Sequence, residues 1–140
     1  ARLRVERGRY NVSKRIIVAD DEAHIRTIVS MKLKNAGFEV LTAADGEEAL
    51  ELCAAENPDM LITDYQMPYM SGLELCMSLR QNEGTRQIPA LMLTARGFDI
   101  EPEEMSEAGI LAVLAKPFSP REVLAKVTEL LEADQPLPAS

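Results

Sequence analysis

Three carboxylates, a hydroxyl and an ammonium group stand where short apolar runs of this sequence stop. Asp20 and Asp21 follow RIIVA, Asp64 follows MLIT, Thr94 follows IPALML and Lys116 follows LAVLA. A buried strand gains nothing by ending on a charge, so each position is either a solvated strand end or a place of chemistry. Three carboxylates brought together repel one another, and a divalent cation offsets that repulsion. Mg²⁺ suits such a set, because it prefers oxygen ligands and is usually shared between one or two carboxylates, waters and a phosphoryl oxygen. The lysine then supplies a point charge for the phosphoryl group, the threonine hydroxyl a hydrogen bond, and Asp64 is left as the nucleophile.

Such chemistry requires the strand ends to meet, and the chain between them is patterned for that. RIIVAD (15–20), FEVLTA (38–43), DMLIT (59–63), IPALMLT (88–94) and LAVLA (111–115) read as five short strands. Helical spacing runs through Ile25, Ile28, Val29, Leu33 and Ala36 until Gly37 stops it. Asp45 with Glu48 caps a second helix, and Ser71 with Glu74 makes a capping box for a third. Pro102 fits only a first turn, so a short fourth helix begins near Glu101. Ser119, Pro120 and Glu122 give the clearest helix start in the chain. Strands apolar on both faces, alternating with five helices, imply an α/β fold with a parallel sheet covered by helices on both sides. In such a sheet the ligand site lies beyond the carboxyl ends of the strands, where strand order reverses.

With 140 residues, 46% of them hydrophobic and 27% charged, the chain is one globular domain without a membrane-spanning run, and a cytoplasmic location is expected. Cys53 and Cys76 read as small buried thiols. The net charge of −8 hides an asymmetry, for Arg2, Arg4, Arg7, Arg9, Lys14 and Arg15 face only Glu6 at the start. Residues 1–13 are expected to be a basic, solvated arm or a trimmed end, 14–132 the domain, and 133–140 a Pro-rich tail or the start of a linker. The strongly acidic body disfavours direct nucleic-acid binding.

ADDE after the first strand, DYQMPYMSG after the third, LTA closing the fourth and AKPF closing the fifth together resemble the receiver domain of two-component response regulators. The resemblance implies a doubly wound, flavodoxin-like sheet of strand order 2-1-3-4-5. It implies that Asp64 accepts a phosphoryl group from a histidine kinase or phosphotransfer protein, and that the domain is a signalling phosphoacceptor and not an enzyme. Asp20, Asp21, Asp64 and the backbone carbonyl of Gln66 would hold Mg²⁺, while Thr94 and Lys116 would bind the phosphoryl oxygens. Gln66 and Arg96 would flank the path of the attacking water, and the small Ala95 would leave access for a donor. An aromatic residue often stands three before the lysine in that family. Here the position is Val113, so aromatic switching is not expected, and the segment 96–113 is the expected output surface.

Other readings are weaker. A haloacid-dehalogenase-like phosphatase places a second Asp two residues after its nucleophile, where this chain has Gln66. An amide cannot shuttle that proton. A flavin-binding relative needs a Ser/Thr/Gly-rich phosphate loop after the first strand, and ADDEAH would repel a phosphate instead. A receiver-like interaction module that works without phosphate is the remaining alternative. His24 is expected on the exposed face of the first helix, and Met67 and Met70 in loop packing. The acidic run Asp99, Glu101, Glu103, Glu104 and Glu107 reads first as solubility and second as a face for a basic partner. No output domain is visible, so a signal would pass to a downstream protein, within a homodimer, or to something attached after Ser140.

Overall fold

A computed structural model describes residues 4–6, 9–11, 13–95 and 100–133 of the chain. Elements follow in the order β1 (Arg4–Glu6), β2 (Arg9–Asn11), β3 (Arg15–Ala19), α1 (Ala23–Asn35), β4 (Glu39–Ala43) and α2 (Gly46–Glu56). Then come β5 (Met60–Asp64), α3 (Gly72–Arg80), β6 (Ala90–Thr94), α4 (Pro102–Ala108), β7 (Ile110–Ala115) and α5 (Pro120–Ala133). The expectations for Arg96 and for the tail 134–140 lie outside the described residues.

Strands β3 to β7 form one parallel sheet in the order β4-β3-β5-β6-β7, which is 2-1-3-4-5 counted from Arg15. Alternation along each strand divides the core between its faces. Ile16, Val18, Ile62, Leu91 and Leu93 pack with Val29 and Leu33 of α1 and Val123 and Val127 of α5. Ile17, Ala19, Leu61, Ala90 and Met92 pack instead with Ala49 and Cys53 of α2, Leu75, Cys76 and Leu79 of α3 and Ala108 of α4. Both thiols are free and buried. The fold is therefore α/β and doubly wound, with helices on both faces. Among the described residues no helix is long and apolar enough to cross a membrane.

Local signals set the helix starts. The carboxylate of Asp45 accepts from Glu48 N at 2.8 Å at the start of α2. Ser71 and Glu74 close a reciprocal box on α3, at 3.1 and 2.8 Å. Ser119 and Glu122 do the same on α5, at 3.1 and 2.7 Å. Glu101 precedes Pro102 as the cap of the short α4.

Two features of the N-terminus go beyond what its charge pattern indicated. In the stretch expected to be a basic arm, β1 and β2 pair antiparallel with Val5 opposite Tyr10. A β-branched and an aromatic residue suit extended backbone, a tendency that the charge count does not register. Arg15, the expected first residue of the first sheet strand, is buried at the start of the central strand β3, between β4 and β5.

Candidate functional site

The chain crosses from β4 over β3 to β5, so strand order reverses at the carboxyl ends of β3 and β5. The expected carboxylates stand there. Asp20 follows β3 directly and is fully buried, Asp21 is exposed beside it, and Asp64 is the last residue of β5 and is 5% exposed. One carboxylate oxygen from each of the three lies within 4.8 Å of the others.

Each carboxylate is placed by backbone bonds. Asp20 N donates to Ala43 O at 3.1 Å, and Glu22 N donates to Asp20 Oδ1 at 2.9 Å. Arg26 of α1 donates from Nη1 to the carbonyl of Asp20 at 2.7 Å. Beyond Asp64 the loop 65–71 is stitched back to its strand, with Gly72 N donating to Tyr65 O at 2.8 Å. A Cβ at Gly72 would lie 2.3 Å from Asp64 O, so only glycine admits this close return. Gln66, Asp21, Met67 and Pro68 line an open cleft of about 430 Å³ beside the carboxylates.

Thr94 ends β6 and is buried, and its carbonyl accepts from Lys116 N at 2.6 Å, which holds the ends of β6 and β7 together. The Lys116–Pro117 peptide bond is cis. Lys116 Nζ reaches 3.3 Å from Glu22 Oε1, 3.4 Å from Asp64 Oδ1 and 3.6 Å from Asp20 Oδ2. One cation thus faces three carboxylates, with Asp21 alongside.

The charges are imperfectly compensated. Burial and then the neighbouring Asp20 push the Asp64 carboxyl up to about 6, against the opposing pull of Lys116. Burial likewise raises the Asp20 carboxyl, opposed by the Glu22 amide and Lys116. Burial would lower Lys116, but Asp20 and Asp64 outweigh it and leave the ammonium held above its ordinary value. The buried Asp20 Oδ2 has no hydrogen-bond partner. A set of hard oxygen donors with an excess of negative charge and an orphaned lone pair has the chemistry of a divalent-cation site.

Of the residues singled out from sequence, Asp20, Asp21, Asp64 and Lys116 converge, with Gln66 on the adjoining cleft. Ala95 is exposed directly after Thr94. Val113 sits apart from the carboxylates, on β7 opposite Met92, packed against the core. His24 is exposed on α1, and Met67 and Met70 pack against the core. Sequence reading missed Glu22 and Arg26. The run ADDE signals Glu22 only as a third acid, and its tie to Lys116 spans 94 positions.

Comparison with known proteins agrees with this geometry. The model of the response regulator receiver domain matches residues 16–128. The alkaline phosphatase synthesis transcriptional regulatory protein PhoP of Bacillus subtilis is 40% identical over 124 residues, which cover 89% of this chain and 51% of that protein. The chain spans about half the length of the curated relatives it matches. Among solved structures, the chemotaxis response regulator CheY4 of Vibrio cholerae superposes with a TM-score of 0.78 at 34% identity, over 85% of this chain and 99% of that one. The receiver domain of the sensor histidine kinase PA1611 from Pseudomonas aeruginosa, whose structure has a magnesium ion coordinated in the active-site cleft, gives 0.75 at 25% identity over 86% and 99%. On sequence, fold and the arrangement of its strand-end residues, the chain belongs to the response regulator receiver domain family.

Proposed function

We propose that this receiver domain is a phosphoacceptor whose nucleophile is Asp64. The observation that carries the reading is the convergence of Asp64 with Asp20, Asp21 and the Lys116 ammonium at the switch point of the sheet. An Oδ of Asp64 attacks the phosphorus of the donor. A P–O bond forms as the P–N bond of a phosphohistidine breaks, and the bonding pair returns to the imidazole. Lys116 Nζ, already 3.4 Å from Asp64 Oδ1, meets the charge that grows on the phosphoryl oxygens, and the Thr94 hydroxyl donates to one of them. Asp20, Asp21, Asp64 and the backbone carbonyl of Gln66 would hold Mg²⁺. When bound, that ion supplies positive charge against both the carboxylates and the transferring phosphoryl group.

Phosphorylation replaces one negative charge with about −2 and adds acceptor oxygens, which draws Thr94 and the chain after it inward. Gln66, on the cleft rim, orients the water that later hydrolyses the acyl phosphate. Arg96 would flank the same path, and Ala95 leaves it open. Val113 is a branched aliphatic residue, so the output is carried by the segment after Thr94 and by α4 instead of by a rotating ring. The donor is a histidine kinase or phosphotransfer protein, the site of action is cytoplasmic, and the signal passes to a downstream protein or a second copy. Residues 14–132 act as the signalling unit, without turnover of external substrates.

Intact mass after incubation with Mg²⁺ and acetyl phosphate tests the reading. One phosphoryl adduct that requires Mg²⁺ and is lost in Asp64→Asn is expected. No adduct on a folded, Mg²⁺-binding chain would leave a phosphate-independent module.

A further inference from the structure

We propose that the groove between α3 and α4 is a docking surface for a basic amphipathic helix of a partner protein. The groove encloses about 540 Å³ and lies on the face of the sheet opposite α1 and α5. Met70, Leu73 and Met77 form its floor, each half-buried with its inner side on the core. Unbranched, polarizable methionine side chains adapt to varied apolar partners, and an apolar groove of this kind receives the matching stripe of a helix.

At one end stands Tyr69, which is 94% exposed. Its backbone lies in the left-handed region at φ 71°, a conformation that non-glycine residues rarely adopt. The loop thus places an aromatic ring in water from an unfavourable backbone geometry, and exposed tyrosines of this kind are frequent anchors in interfaces. A ring face also attracts ammonium and guanidinium groups.

Charge selects the occupant. Glu74 and Glu104 line the groove, and Glu101, Glu103 and Glu107 are exposed on and beside α4. The only cation on α3 or α4 is Arg80, and its guanidinium is turned inward to the carbonyls of Arg86 and Ile88. An apolar floor, an exposed aromatic ring and a rim of carboxylates with no competing cation among the described residues that line it match a helix with an apolar stripe flanked by Lys and Arg. Nothing in this match depends on phosphate chemistry at Asp64.

The test is a titration of the isotope-labelled protein, in Mg²⁺ and without phosphodonor, with a Leu/Lys amphipathic peptide of about 15 residues, long enough to hold a helix. The Leu/Glu counterpart is the control. Saturable amide shifts centred on residues 69–81 and 101–108 are expected with the basic peptide alone. Leu73→Glu should weaken binding about tenfold or more. Because Leu73 is half-buried, the exposed substitutions Tyr69→Ala and Glu104→Lys provide the second arm and should each weaken binding with the fold intact. Shifts centred on the α1–α5 side or on the Asp20–Asp64 rim, equal binding of the Leu/Glu peptide, or no saturable binding would each overturn the proposal.

Discussion

The two ends of the central strand β3 gather similar charges and treat them differently. At its start, Arg15 N donates to Asp59 Oδ2 at 2.8 Å, Nη1 to Glu56 Oε1 at 2.9 Å, and Nη2 to both oxygens of Glu39 at 3.0 and 2.8 Å. At its far end, Lys116 faces Asp20, Glu22 and Asp64 at 3.3 to 3.6 Å, and one buried carboxylate oxygen has no hydrogen bond. The guanidinium is set against two carboxylates, with a third on the backbone amide, and the ammonium against three. A planar guanidinium fork locks its partners in place, whereas an ammonium on a flexible stem is shared between them. The first arrangement holds β3, β4 and the segment after α2 together. The second leaves negative charge in excess, as the proposed binding of a metal ion and a phosphoryl group would require.

The largest expected effect comes from breaking the locked end. Arg15→Met removes the guanidinium that Glu39 and Glu56 share at the edge of the core. Because both are partly exposed and regain water, the loss is placed at about 3 kcal/mol, the lower end for a broken buried pair. Urea unfolding should show it, with the phosphoryl adduct still forming on the folded fraction. The open end should respond with the opposite sign. Asp64→Asn removes a carboxyl pushed up to about 6, whereas an unfolded Asp titrates near 4. Between these values the folded state holds a proton that the unfolded state has lost, so wild-type stability falls as pH rises through this window. Without divalent cation at pH 7 the variant should be more stable by about 2 kcal/mol. The gap should vanish near pH 4, and Mg²⁺ at about a hundred times its Kd should close it by stabilising the wild type. A gap independent of pH would remove charge excess as its cause.

Exchanging the cation types tests whether geometry or charge distinguishes the ends. Lys116→Arg keeps the charge but brings a fork that pairs bidentately with Asp64 or Asp20. Adduct formation from acetyl phosphate is expected to slow by about tenfold, equivalent to roughly 1.4 kcal/mol. An unchanged rate would mean that charge alone suffices.

The same contrast explains what could be read from the residues. Strand ends and caps are local, so the parallel strands, the helix starts and the convergence of Asp20, Asp21, Asp64 and Lys116 on one rim followed from runs of a few residues and from the switch-point rule, whereas the strand order came from the family resemblance. The partners of Arg15 could not be read, because they lie 24 to 44 positions away and only the placement of β3 between β4 and β5 brings them near. The pairing of β1 with β2 escaped for a related reason, since charge composition says little about backbone pairing. Tyr69 gave no sign of its left-handed backbone, which is fixed by the return of Gly72 onto Asp64 O and not by the type of the residue itself.

Glu22 offers the finest test of the comparison. It occupies the cap position of α1 yet makes no side-chain capping bond. Its amide instead donates to Asp20 Oδ1, and its carboxylate accepts from Lys116 Nζ at 3.3 Å. The side chain is 61% exposed, so this pair contributes less than about 1 kcal/mol. Glu22→Gln keeps the backbone bond, weakens the hold on Lys116 and removes one anion from the path of an anionic donor. Adduct formation from acetyl phosphate should therefore quicken by about two- to threefold at low salt, and the gain should fade toward about 1 M salt as the charges are screened. A slower reaction would show instead that Glu22 holds Lys116 in its working position. The rim would then be locked in part, as Arg15 locks the opposite end.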